Sequence, residues 1–131
     1  MKNLRIMVDV SVTVLHHGHI RLFKQAKEYG NVIAALTIDE EIKYHKGYVP
    51  ELSFAYRKEI LESIKYIDEV VPAPWLITEN LLKKHKIDYL LHGDDNQNLV
   101  DESKIIIIKK TKNISSSIIR NQIIKNHANQ F

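Results

Sequence analysis

The sequence predicts a three-layer α/β/α domain built on a five-stranded parallel sheet. Three observations point to it. Short apolar runs of strand type alternate with stretches of helical periodicity along the whole chain. A strand, a helix and a second strand follow one another within Leu4–Ile38, the compact unit that joins parallel neighbours through a crossover helix. The polar turns at His16–His19, Gly93–Asp95 and Lys109–Ser117 each follow a predicted strand. In a parallel sheet they therefore meet on the edge where ligands bind.

Size and composition bound the answer. A chain of 131 residues is a single domain with a real core, and 27% charged and 44% hydrophobic residues are ordinary for a soluble globular protein. The formal net charge is +3, with no block of five or more basic residues. That argues against a nucleic-acid surface and suits a small polyanionic substrate. The absence of cysteine excludes disulfides, thiolate catalysis and Cys-based zinc sites. The longest apolar runs are far too short to span a membrane and no signal peptide precedes the first strand, so the expected location is the cytoplasm.

Leu4–Val10 reads as a buried strand, and a helix runs from about Gly18 to Tyr29 with Gly30 as its stop. Asn31–Ile38 is near-continuously apolar, as in a strand covered on both faces. From Asp39 to Leu52 charged residues surround Gly47 and Pro50, which predicts a loop, or a short helix and a loop, over the ligand face. Ser53 caps a helix from Phe54 to about Tyr66. Asp68–Val71 is a short strand closed by Pro72 and Pro74, followed by a loop through Leu76. Thr78 starts a helix to about Lys84, and Ile87–His92 gives another strand. The four isoleucines within Lys104–Lys109 predict a central buried strand, and Ser115 opens a last helix to about His127. There are no internal repeats, linkers or low-complexity segments.

Two stretches carry the chemistry. Val14-Leu15-His16-His17-Gly18-His19-Ile20 joins a strand to a helix, so its backbone N–H groups and positive helix end face whatever lies above the sheet, an arrangement that favours phosphate. Gly18 removes a side chain where a ligand approaches, and His16 and His19 share a face. Histidines at a helix start also serve as ordinary caps or metal ligands, but no acidic or Cys cluster of zinc spacing accompanies them. The second stretch, Lys110-Thr111-Lys112-Asn113-Ile114-Ser115-Ser116-Ser117, offers hydroxyl and backbone donors beside two lysines. A serine N-cap is commonplace without any ligand; its place on the same face as the histidine turn is what points to an anion.

With these stretches in view, the chain resembles the HxGH nucleotidyltransferase superfamily, and within it the cytidylyltransferases. The match runs in order along nearly the whole chain: His16-His17-Gly18-His19; Arg57-Lys58-Glu59-Ile60-Leu61-Glu62; Tyr66-Ile67-Asp68-Glu69-Val70-Val71-Pro72; His92-Gly93-Asp94-Asp95; and Ile114-Ser115-Ser116-Ser117. The resemblance implies a Rossmann-like fold and transfer of CMP from CTP to a small phosphorylated alcohol or phosphonate, with magnesium on the phosphates rather than in a side-chain cage. It implies His16, His19, Lys46 and Arg57 as catalytic residues, with Lys46, Arg57 and Trp75 toward the acceptor. Toward the nucleotide it implies Ser11, Val12, Gly18, Gly93, Asp94, Asp95, Lys110, Ile114, Ser115, Ser116 and Ser117, together with the two histidines. It also implies a homodimer with no nucleic-acid or membrane partner. Acceptor choice is expected at Val49–Leu52, Pro72–Ile77 and His92. Three features depart from the family pattern: Val10 and Thr13 replace a glycine and an aspartate before the signature, Lys110 replaces an arginine, and the segment between Lys46 and Arg57 is long. An adenylyltransferase on the same fold, or a CTP-binding module without turnover, are the alternatives.

Overall fold

A computed structural model describes residues 3–130. The elements are β1 (Arg5–Val10), α1 (His17–Lys27), β2 (Asn31–Thr37), α2 (Asp39–Lys46), α3 (Phe54–Glu62), β3 (Glu69–Ala73), α4 (Glu79–Lys84), β4 (Tyr89–Gly93), a 3-10 turn (Glu102–Lys104), β5 (Ile105–Ile108) and α5 (Ser116–Asn126). All strand pairs are parallel, and the sheet order is β3-β2-β1-β4-β5. The chain winds outward from β1 to β3, then returns to the other side of β1 for β4 and β5. That order is the doubly wound, Rossmann-like arrangement, with its switch point between β1 and β4.

Alternation along the strands divides the core in two. Ile6, Val8 and Val10 of β1 pack with Val32, Ala34 and Leu36 of β2 against Phe23 and Ala26 of α1 and Leu61 of α3. Met7, Ile33, Ala35 and Leu90 face the other way, against Ile77 and Leu82 near and on α4. Asp9 shares the strand face of Met7, and it stands at the sheet's carboxyl edge, where the site lies.

Four local expectations are corrected. The isoleucine run of β5 is an edge strand, and Ile107 is 54% exposed. Ile106 and Ile108 pack on the α1 side, while Ile105 and Ile107 point to the other face, where Ile105 is only partly covered. Pro72 lies inside β3 opposite Leu36 and does not close it. A proline is tolerated there because β3 is the opposite edge, where no further strand requires the missing N–H. Ser53 occupies the N-cap position of α3, but its side chain makes no capping bond; Asp39 Oδ2 accepts from Phe54 N instead, at 3.1 Å. Gly30 is not a left-handed helix stop. A Cβ there would lie 2.3 Å from the Leu4 carbonyl oxygen, which accepts from Asn31 N at 2.8 Å.

The ambiguous stretch after β2 resolves into helix and loop. Asp39, Glu40 and Glu41 occupy the first turn of α2 and Lys43, His45 and Lys46 the last, each sign at the end of the helix dipole that favours it. Gly47, at φ 79°, ends the helix in the left-handed conformation and turns the chain into the loop before α3.

Candidate active site

The two signature histidines are arranged by the backbone they cap. His16 is the N-cap of α1, and its Nδ1 accepts from Gly18 N at 3.0 Å. His19 Nδ1 reaches back to accept from His16 N at 3.2 Å, and the rings lie 3.8 Å apart between centroids. An Nδ1 that accepts carries no proton, so in both neutral rings the proton is on Nε2. Burial, then the charge of His17, lowers the pKa of His16. Burial, then His16 and Lys110, lowers that of His19 to about 3. Each ring is thus a neutral Nε2–H donor at neutral pH. Gly18 makes this possible from inside: a Cβ there would lie 2.8 Å from His16 Cε1 and 2.9 Å from its Nδ1. The glycine first makes room for the capping ring. The cap also occupies the Gly18 amide that the sequence offered to phosphate, leaving the ring Nε2–H groups as donors in its place.

The N-terminus of α5 stands opposite. Ser115 Oγ accepts from Ile118 N at 3.1 Å, and Ser116 Oγ donates to the Val14 carbonyl at 2.9 Å. Both hydroxyls therefore serve the fold, while the first amides of α5, at Ser116 and Ser117, have no carbonyl one turn back to bond. His16, His19, Gly18, Ser11, Val12, Gly93, Lys110, Ile114 and Ser115–Ser117 all line one cavity of about 320 Å³ at the β1–β4 switch point. Among the residues expected toward the nucleotide, Asp95 lines only the neighbouring cavity, and Asp94 is exposed and lines neither. Asp95 neutralises Lys110 across a 2.7 Å ion pair, which lowers its pKa.

That neighbouring cavity, of about 390 Å³, shares Asp9, Val10, Ser11, Lys46, His92 and Lys110 with the first and adds Trp75 and Asn98. His45 stacks on one face of Trp75 at 4.8 Å, and Lys46 Nζ is 5.7 Å from the ring centroid. Trp75 N donates to Glu41 Oε1, so α2 holds the tryptophan at three points. Asp9 Oδ2 accepts from Asn98 Nδ2 at 3.1 Å and lies 3.3 Å from His92 Nε2, whereas the buried Oδ1 has no partner among the described residues. Burial works against a charged His92, but Asp9, the Gly93 carbonyl and Asp95 outweigh it and raise its pKa. Asp9 and Asn98 are the site residues the motifs missed. The available signal was a carboxylate inside an otherwise apolar strand.

Arg57 is not brought into either cavity. It is 1% exposed. Its Nε donates to the Leu52 carbonyl at 3.1 Å, Nη1 to those of Ser11 and Thr37 at 2.7 and 2.9 Å, and Nη2 to Asp39 Oδ1 at 2.6 Å. Those donors are committed to the frame of the cleft, so Arg57 touches the site only through the carbonyls of Ser11 and Thr37, which line the second cavity. The next residue, Val12, is held at φ 49°, a left-handed conformation that costs a β-branched residue on the order of 1–3 kcal/mol.

The buried His19 gives stability a pH dependence of definite sign. Its pKa is about 3 in the fold and near 6.5 when unfolded, so between those values the unfolded chain binds the extra proton and stability rises with pH. Tm is expected to fall from pH 7 to pH 5, with a slope from this group approaching about 1.4 kcal/mol per pH unit. His92 contributes with opposite sign: its stabilisation is present below its unfolded pKa and is lost as pH rises through the folded one. His19→Gln should flatten the acid limb in a melting series. A variant profile parallel to wild type would mean that His19 is solvated in the fold.

Fold and cleft together define a doubly wound, Rossmann-like α/β protein in which neutral donors, helix amides and lysines converge at the switch point. A sequence model of the cytidylyltransferase-like family matches residues 14–122. The chain is 34% identical over 127 residues to glycerol-3-phosphate cytidylyltransferase of Staphylococcus aureus, covering 91% of this chain and 94% of the relative. It is 32% identical over 134 residues to ethanolamine-phosphate cytidylyltransferase of Arabidopsis thaliana, covering 90% of this chain but 32% of that longer protein. The crystal structure of the lipopolysaccharide core biosynthesis protein from Thermoplasma volcanium GSS1 shares the fold, with a TM-score of 0.72 over 85% of this chain and 100% of that one at 21% identity. The chain belongs to the cytidylyltransferase-like family of nucleotidyltransferases. Among the described residues no helix is long and apolar enough to cross a membrane.

Proposed function

We propose that the protein transfers CMP from CTP to a small acceptor bearing a phosphate or phosphonate group, releasing pyrophosphate. The observation that carries the reading is the pair of adjoining cavities. One is walled by His16, His19 and the N-terminus of α5, the other by Trp75 and Asn98, with Asp9, Lys46, His92 and Lys110 common to both. An acceptor oxygen approaching from the second cavity attacks the α-phosphorus of a triphosphate in the first. The bond to the bridging oxygen breaks in line, and pyrophosphate leaves with that electron pair. No protein nucleophile is required, so catalysis is positioning and charge stabilisation.

The two Nε2–H donors act on charge that builds on the leaving phosphates. Burial lowers both pKa values in the free protein, so the rings meet the triphosphate as neutral hydrogen-bond donors. Lys46 attracts the acceptor's anionic end. The Asp9 carboxylate, which lines both cavities, favours an acceptor whose far end carries a hydroxyl or an amine. Magnesium is expected to arrive on the triphosphate and to neutralise its charge: no group of three histidine or carboxylate side chains converges among the described residues, while serine and lysine donors suit the phosphates themselves.

The test is pyrophosphate release with magnesium, crossing CTP, ATP, UTP and GTP with glycerol phosphates, phosphocholine, phosphoethanolamine and 2-aminoethylphosphonate. The expected result is release with CTP and one hydroxyl- or amine-bearing acceptor. Release with ATP alone assigns the protein to adenylyl transfer, and CTP binding without release from any pair leaves an acceptor outside the panel or a module without turnover, which a wider acceptor search separates.

A further inference from the structure

From a junction at the edge of the first cavity, which Thr13 lines and Arg120 and Tyr48 do not, we infer that Arg120 is a positioning residue that couples nucleotide binding at α5 to the acceptor-side lysine, Lys46. The inference rests on the CTP reading above. Arg120 lies one turn beyond the start of α5. Its Nη2 donates to Thr13 Oγ1 at 3.0 Å, in the turn before α1, and to the Tyr48 hydroxyl at 2.8 Å, in the loop after α2. Its guanidinium carbon also lies 4.8 Å from the Tyr48 ring centroid. One side chain thus joins three segments that the sequence keeps far apart.

Three properties make this junction a coupling and not a simple brace. No residue of α5 is buried, and its second half is wholly exposed, so polar ties from Ser116 and Arg120 do much to set its position. A ligand on the amides of Ser116 and Ser117 therefore orders a helix that the core does not already fix. Next, among the described residues Arg120 has neutral hydroxyl partners and no carboxylate partner, and its buried Nε has no partner among them either. It offers a fixed, uncompensated charge beside a polyanion's cleft. Finally, Tyr48 is separated from Lys46 only by Gly47, whose left-handed backbone has open space around it. Fixing Tyr48 fixes the end of α2, and with it the ammonium of a lysine that lines both cavities.

The deciding experiment is hydrogen exchange of residues 47–53 in the intact protein, with and without CTP and magnesium, in wild type, Arg120→Ala and Tyr48→Phe. Tyr48→Phe keeps the ring and removes only the hydroxyl. In wild type CTP is expected to slow exchange of this loop about tenfold, within the usual range of coupling between sites. Both variants should still bind CTP yet lose the loop response. With a turned-over acceptor, each should raise acceptor KM about tenfold and leave kcat within about twofold. The double variant should be no worse than Arg120→Ala alone. A loop response to CTP that is undiminished in the variants, or single effects that multiply in the double, overturns the coupling alone. Failure of wild type to bind CTP overturns the nucleotide reading, and the coupling falls with it.

Discussion

His19→Ala is expected to lower kcat/KM about a hundred- to a thousandfold while leaving a folded protein. The magnitude is that of removing one preorganised donor from developing negative charge. The donor in question is Nε2–H, because Nδ1 is fixed as an acceptor from the His16 amide. The substitution also exposes that amide to solvent at the rim of the cleft, a modest structural loss beside the catalytic one. Steady-state pyrophosphate release and a thermal melt on the same preparation separate the two. A variant that retained activity within about threefold of wild type with an unchanged melt would remove His19 from the transition state.

Arg57→Met is expected to act on the fold. It leaves the carbonyls of Ser11, Thr37 and Leu52 and the carboxylate of Asp39 without their shared donor. Asp39 keeps partial access to water, so the loss falls mainly on the three carbonyls; at about 1–3 kcal/mol for each buried group left unsatisfied the total is about 3–5 kcal/mol, a large share of the roughly 5–15 kcal/mol that holds a domain of this size together. Tm should fall by on the order of 10–20 °C. Arg57→Lys should rescue little, since a point charge cannot serve three directions. The measurement is the melt together with specific activity well below it. A near-normal melt with activity abolished would return Arg57 to the catalytic role that the family resemblance implied.

What was legible in the sequence was what the chain writes contiguously. The histidine turn, the serine-rich helix start and the alternation of strands and helices are local patterns, and the structure places them together at the carboxyl edge of the sheet. The burial of Arg57 outside both cavities was not legible, because a charged residue in a matching motif looks alike whether it faces substrate or backbone. Only the long-range carbonyls that surround it decide. Asp9, His92 and Asn98 converge because β1 and β4 are paired, and neither strand's sequence names the other. The isoleucines of β5 and Pro72 of β3 were misplaced for a related reason: sheet order is a property of the assembled molecule, and an apolar run does not record how many neighbours its strand has.

The two borders of that sheet have different capacities for growth. On the β3 side a chain arriving to extend the ladder meets the Pro72 ring, which has no hydrogen to give, so propagation stalls within one residue. On the β5 side it meets a short run of isoleucines without proline, glycine or charge, with Ile107 turned toward water. Self-association through backbone pairing therefore has a polarity in this protein. Loss of solubility on partial unfolding should begin at β5, and a charged residue at position 107 is the substitution that would make the two borders alike.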